Sequence, residues 1–259
     1  MRRSDLLVIV LWAMTVGRTG FAEPISVRHI QSPMHRFMVA RSEAGKIIAN
    51  GEFLQVVEGD EVTMRLTFHF LDGSIDDETT TYTQQGTFRL VRYHHIQNGP
   101  FFAKPVDFTV EDATGIATSR TTDRNGKIHV ESEHIHLPDD LANGFVGTLL
   151  LNVPHNTAPF RVGILAPFGG GRLVRILISP ESEQPFHTTG QTLTATVFRI
   201  HPELGGIVGV IASLIGLQPK DVMVWVLEGD EPAVVRIVGQ LGGYGPVVDS
   251  ELEGTSFGK

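Results

Sequence analysis

The stretch HVESEHIH, His129 to His136, places three histidines and two glutamates in eight residues. Such residues can hold a metal or move a proton. If the stretch is a β-strand, alternate side chains face opposite ways, so His134 and His136 share one face while His129, Glu131 and Glu133 share the other. Imidazoles two positions apart, about 6 to 7 Å, can reach one zinc ion. A catalytic zinc takes three protein ligands and a closed one four. Zinc at His134 and His136 would therefore need a further ligand from another strand, with His94 or His95 as the nearest source in RYHHIQ. The competing reading is an exposed polar strand, with Arg120 facing Glu131 as a cross-strand charge pair.

The other candidates are thinner. His94 and His95, as strand neighbours, point to opposite faces and cannot act jointly on one ligand. His69 opposite Asp76 would make an orienting histidine-carboxylate pair, but no serine in a G-x-S-x-G turn completes it. DGSIDDE, Asp72 to Glu78, has its glycine at the second position and no closing glutamate, so it is a hairpin tip with a solvated acidic strand rather than a calcium loop. FGGGRL, Phe168 to Leu173, lacks the Gly-Lys-Ser/Thr of a phosphate loop and reads as a turn. No complete catalytic set results, so no catalytic residue is assigned. The apolar LGGIVGVIASLIGL, Leu204 to Leu217, is too short to cross a bilayer. It is expected to be a short apolar helix over 205–216, either a packed core helix or a cavity wall. A ligand-binding wall would comprise Leu204, Ile207, Val210, Ile211, Leu214, Ile215 and Leu217, with Trp225 from the following strand.

These residues are positioned by strands. Turn signals recur every ten to fifteen residues between segments rich in Val, Ile, Thr and Phe, the pattern of an antiparallel meander. EVTMRLTFHFL and SIDDETTTYT flank Asp72-Gly73, and IATSRTTDR and KIHVESEHIH flank Asn125-Gly126, each read as a two-residue type I′ turn. On that register Arg120 faces Glu131, Ala117 faces His134 and Gly115 faces His136. The period changes at LPDDLANGFVGTLLLN, where Leu141, Phe145 and Leu149 recur every four residues and predict an amphipathic helix over 139–151. The fold class expected is mainly β: a curved antiparallel sheet forming a half-barrel or open barrel, with those two helices.

The chain opens with Arg2-Arg3, an apolar run from Leu6 to Val16, and small residues Gly20 and Ala22 before Glu23. This is the order of a secretory signal peptide over 1–22, leaving 23–259 as one β-rich domain in the periplasm or outside the cell. The general secretory and twin-arginine routes both remain open. The net charge is -8, and cleavage after Ala22 would remove three arginines and Asp5 and leave about -10, which repels nucleic acid and anionic lipid heads. There is no cysteine, hence no thiol nucleophile, thiolate metal site or lipid-bearing cysteine. Hydrophobic residues make up 41% of the chain, enough for a sizeable core.

At DGSIDDETTTYTQQGTFRL, GPFFAKPVDF, LPDDLANGFVGTLL, GGIVGVIASLIGLQP and VWVLEGDEPAVVR the chain resembles an uncharacterised family of exported bacterial proteins. The resemblance implies the same order of hairpins, helix and glycine-rich apolar segment, and it implies no activity. At His134 and His136 that family favours other polar residues, which would make a zinc site peculiar to this chain. The general look is similar to periplasmic lipoprotein and lipid carriers built as half-barrels. The leading expectation is an exported soluble binding or carrier protein for an apolar or lipid-like small molecule. A zinc-binding protein or zinc-dependent hydrolase is the alternative from another class, and a structural module pairing its edge strands with an envelope protein is the third.

Overall fold

The computed structural model describes residues 24–102, 104–122, 126–167, 170–188, 191–203, 219–229, 232–241, 245–254 and 256–257. Among the described residues, fifteen strands form one antiparallel sheet: β1 Met34–Ser42, β2 Ile47–Glu58, β3 Glu61–Phe70, β4 Ile75–Gln85, β5 Thr87–Asn98, β6 Val106–Glu111, β7 Ile116–Thr122, β8 Ile128–His134, β9 Phe160–Ala166, β10 Arg172–Thr188, β11 Gln191–Glu203, β12 Val222–Leu227, β13 Ala233–Gln240, β14 Val247–Leu252 and β15 Ser256–Phe257. Consecutive strands β1 to β8 form a meander, β10 to β14 form a second, and β14 pairs with β1 to join them. The order runs from β8 at one edge to β15 at the other, with β9 also pairing β10, and the sheet does not close into a barrel. The mainly β, open architecture is the one expected. Among the described residues no helix is long and apolar enough to cross a membrane.

Both glycine-containing hairpins differ from the expected register by one residue. Gly73 has φ +86° and takes the third place of a Leu71-Asp72-Gly73 loop, closed by Phe70 N donating to Ser74 O at 2.9 Å. Asp72 Oδ1 accepts from Ser74 N at 2.9 Å. A three-residue loop of this kind moves the register relative to a two-residue turn. His69 therefore faces Ile75, and Asp76 faces Phe68. Gly126 likewise has positive φ, +80°, and Thr122 lies opposite Ile128, Arg120 opposite Val130, and Ile116 opposite His134. The expected Arg120–Glu131, Ala117–His134 and His69–Asp76 pairs are thus replaced. Arg120 sits instead 3.6 Å from Asp107.

The helix expected over 139–151 is much shorter: α1 covers Val146–Leu150. The preceding residues form turns, with Leu141 N donating to Pro138 O and Phe145 N to Ala142 O. Gly144 at φ +74° takes the chain out of the right-handed helical region, so the four-residue periodicity begins before a helix is possible. The segment instead plugs the concave side of the sheet. Leu141, Ala142, Phe145, Leu149 and Leu150 are all buried against Tyr82, Leu90, Val162, Leu165 and Ile176. Each large apolar side chain buried here contributes about 1.5–3 kcal/mol. The expected helix over 205–216 lies outside the described residues.

Polar groups hold the plug in place. Asn143 Nδ2 donates to Leu165 O and its Oδ1 accepts from Leu165 N, both at 2.8 Å, so one amide satisfies both backbone groups of a β9 residue. Leu141 forms a parallel bridge with Gly163, and Ala142 N donates to Gly163 O at 2.8 Å. Asp140, almost wholly buried, is ion-paired with Arg175. Asn152 Oδ1 accepts from Arg28 N and His29 N at 2.8 and 2.7 Å, tying down the start of the described chain. Ile135 N meanwhile donates to Gly115 O. Residues 135–145 thus run from the β7–β8 edge across to β9, bridging the two edges of the sheet without a ladder.

A bulge divides the second meander. In β10 the register shifts between Pro180 and Ser182, which moves successive even-numbered residues from one face to the other. Ile176 and Ile178 join the core on the plug side. Phe186 joins Ala195, Val197, Trp225 and Val235 in a separate cluster on the opposite face.

Candidate functional site

The concave face leaves a cavity of about 510 Å³ between the plug and the sheet, within the 300–1,000 Å³ typical of small-molecule sites. Its wall is mostly apolar and draws on both meanders: Met38, Phe53 and Met64 from the first, Ile176, Val224 and Ile237 from the second, with Val146 at the start of α1 and Leu151 just after its end. Alternation explains why these residues meet. Each lies at an inward position of its strand, and the curvature of the sheet brings the inward faces of distant strands together.

One sector of the wall is polar and lies on β4 and β5. In DDETTTYT the even-numbered residues face inward: Asp76, Thr80 and Tyr82 are buried and Glu78 half-buried. The strand read as acidic and solvated is therefore split. Asp77 points outward and is held by Arg65 through two bonds of 2.8 and 2.6 Å, and that guanidinium holds its carboxyl below the usual range. Across the ladder Glu78 faces His95, Thr80 faces Tyr93 and Asp76 faces Gln97.

The inward groups form a connected set. His95 Nε2 lies 2.7 Å from Asp76 Oδ1, Gln97 Nε2 donates to Asp76 Oδ2 at 3.3 Å, and the Tyr93 hydroxyl donates to Glu78 Oε1 at 2.6 Å. Burial by itself pulls the His95 imidazole down, but the Asp76 bond and the nearby Glu78 charge outweigh it, and the group is raised above its ordinary value. Burial, reinforced by Glu78, pushes the Tyr93 phenol well above its ordinary value. Tyr82, stacked on Phe145 at 4.9 Å between ring centroids, is pushed up to about 12 by burial, partly offset by its bond to Thr148. Glu78, Tyr93 and His95 all line the cavity. The set offers a carboxylate and an imidazole to a bound molecule, and among the described residues no serine, threonine or lysine nucleophile is bonded to the histidine.

The residues singled out from sequence fall elsewhere. Leu204, Ile207, Val210, Ile211, Leu214, Ile215 and Leu217 lie outside the described residues. Trp225 faces away from the cavity, where its indole N–H donates to Gln184 Oε1 at 2.9 Å and Arg236 stacks 4.7 Å over its ring. Its neighbours Val222 and Val224, three and one positions before it, hold the cavity wall. His134 ends β8 and His136 follows it, both exposed. Among the described residues no group of three or more His, Asp or Glu is arranged to hold a metal. His94 and His95 do face opposite ways, His94 lying 3.1 Å from Asp107 on the outer face.

Sequence reasoning did not bring Glu78, Tyr93 and His95 together: His95 entered only as a possible zinc ligand, Glu78 only as part of a solvated acidic strand, and Tyr93 not at all. The available signal was the period of two in Asp76, Glu78, Thr80 and Tyr82, which shares its inward face with an aromatic residue and so marks that face as buried.

No family model matches the chain, and no curated protein matches it. Among solved structures, a beta-barrel-like protein of a domain of unknown function, DUF1849, from Brucella abortus superposes with a TM-score of 0.49 and 8% sequence identity, covering 88% of this chain and 98% of that one.

Proposed function

We propose that this chain is an exported carrier that holds an apolar or amphiphilic small molecule inside its curved sheet. The observation that carries the reading is the cavity of about 510 Å³ with walls of Met, Phe, Ile and Val. Protein interiors are close-packed with few voids larger than a water molecule, and apolar concave sites with few polar groups are the usual form of small-molecule sites. The support for export is the amino-terminal order of two arginines, an apolar run and small residues before Glu23.

The test is to incubate the purified protein with a bacterial lipid extract, re-isolate it, and identify what remains bound by mass spectrometry. Near-stoichiometric amphiphile is expected, together with saturable binding of the neutral dye N-phenylnaphthylamine. Ile237→Trp, which fills part of the wall, should weaken dye binding at least about tenfold, or roughly 1.4 kcal/mol, while the protein stays folded. Neither lipid nor dye bound by a folded protein sinks the proposal.

A further inference from the structure

We infer that the cavity selects amphiphiles by a cationic head, a long-chain amine docking on the Glu78 carboxylate while its chain lies along the apolar wall. This deepens the carrier reading and rests on it. The argument is a count of charge on the inward face of β4 and β5. Two carboxylates, Asp76 and Glu78, stand there with one group able to become a cation, His95. Asp76 has His95 at 2.7 Å and Gln97 at 3.3 Å. Glu78 is bonded by the Tyr93 hydroxyl at 2.6 Å, a neutral donor, and among the described residues no Lys, Arg or His nitrogen forms an ion pair with it. The carboxyl groups thus outnumber the one group able to become a cation, and Glu78, the one that lines the apolar space, has no ion-pair partner among the described residues.

A half-buried carboxylate at an apolar wall is poorly screened, so it attracts a cation more strongly than a surface carboxylate does. The same field repels a carboxylate or phosphate head. The cations on the cavity's lining, Arg36 and Lys220, are both exposed, where hydration and salt weaken their pull on an anionic head. A carboxylate has acceptor sites left after one bond from Tyr93, so an ammonium head can bond to Glu78 without displacing the tyrosine.

The experiment measures displacement of N-phenylnaphthylamine from the purified protein at neutral pH by dodecylamine, dodecanol and dodecanoate. Dodecylamine is expected to bind about tenfold or more tighter than dodecanoate, with dodecanol between them. Glu78→Gln should bring the amine-to-carboxylate ratio close to one while leaving dodecanol within about twofold. Tyr93→Phe, which removes the neutral donor from Glu78, should widen the amine preference, so the idea stays testable if the first variant does not fold. Dodecanoate binding as tightly as the amine, or a folded Glu78→Gln protein that keeps the preference, overturns the inference. So does displacement by none of the three from a protein that binds the dye, an outcome that leaves the carrier reading standing. A folded protein that does not bind the dye overturns both.

Discussion

Gly144 is a position where one methyl group should be costly for two separable reasons. Its φ is +74°, and a Cβ placed there overlaps Thr80 Oγ1 and lies 3.1 Å from both Thr80 Cβ and Tyr93 Cε2. Two costs follow for Gly144→Ala. The left-handed backbone costs an L residue roughly 1–2 kcal/mol, and the overlap adds about 1–3 kcal/mol because Thr80 is a stiff, β-branched, buried side chain with little room to turn. Gly86 separates the two. Its φ is +72°, nearly the same, yet a methyl group there would meet nothing within 4 Å, so Gly86→Ala should cost only the backbone part, roughly 1–2 kcal/mol. Thermal unfolding of the two variants should then show losses of roughly 10 °C and roughly 4 °C. Thr80→Ala placed in the Gly144→Ala background should recover about 1–2 kcal/mol through coupling of the two sites. Equal losses at Gly144 and Gly86, or no coupling to Thr80, would refute the claim that the plug is seated by contact between Gly144 and β4.

Three more outcomes are expected. Asn143→Ala leaves both backbone groups of Leu165 without partners in a buried place and should cost about 3 kcal/mol, read from urea unfolding, with faster hydrogen exchange at the Leu165 amide; unchanged exchange would show that the amide is not what holds β9. Because the His95 imidazole is raised in the folded state, its contribution is fully present below its unfolded value of about 6.5 and is lost as pH rises through the folded value. The stability advantage of the native protein over His95→Gln should therefore be larger near about pH 5.5 than near about pH 8.5, and an advantage that grows with pH would reverse the assignment. With three tyrosines in the chain, and Tyr82 and Tyr93 both pushed upward by burial, ultraviolet titration should leave two of them un-ionised at about pH 11 while the protein stays folded; full ionisation by then would mean that these phenols are wetter than their packing implies.

The strands themselves were legible along the chain because alternation and turn residues are local properties. β3, β4, β7 and β8 lie where their patterns place them, and the meander follows from short connections that leave neighbours antiparallel. Register was not legible at the two glycine hairpins. Asp-Gly and Asn-Gly serve two-residue and three-residue loops alike, and the choice moves every cross-strand partner by one. The length of α1 was misread because Leu141, Phe145 and Leu149 meet the core at helical spacing whether or not the backbone between them is helical. Asn143 and Gly144 decide it, and both act through contacts with β9 and β4 that are distant in sequence.

What the amino-acid order determined by itself is the mainly β character of the chain, the alternation that sorts each strand into two faces, and the separation of His94 from His95. The candidate site was decided only by tertiary structure. Whether an inward face looks onto packed atoms or onto an open cavity depends on how far the sheet curves and where the plug sits, and both are set by contacts between residues far apart along the chain. For the same reason Glu78, which on its strand looks like one more solvated acid, becomes a carboxylate beside an apolar space with a tyrosine hydroxyl as its bonded partner.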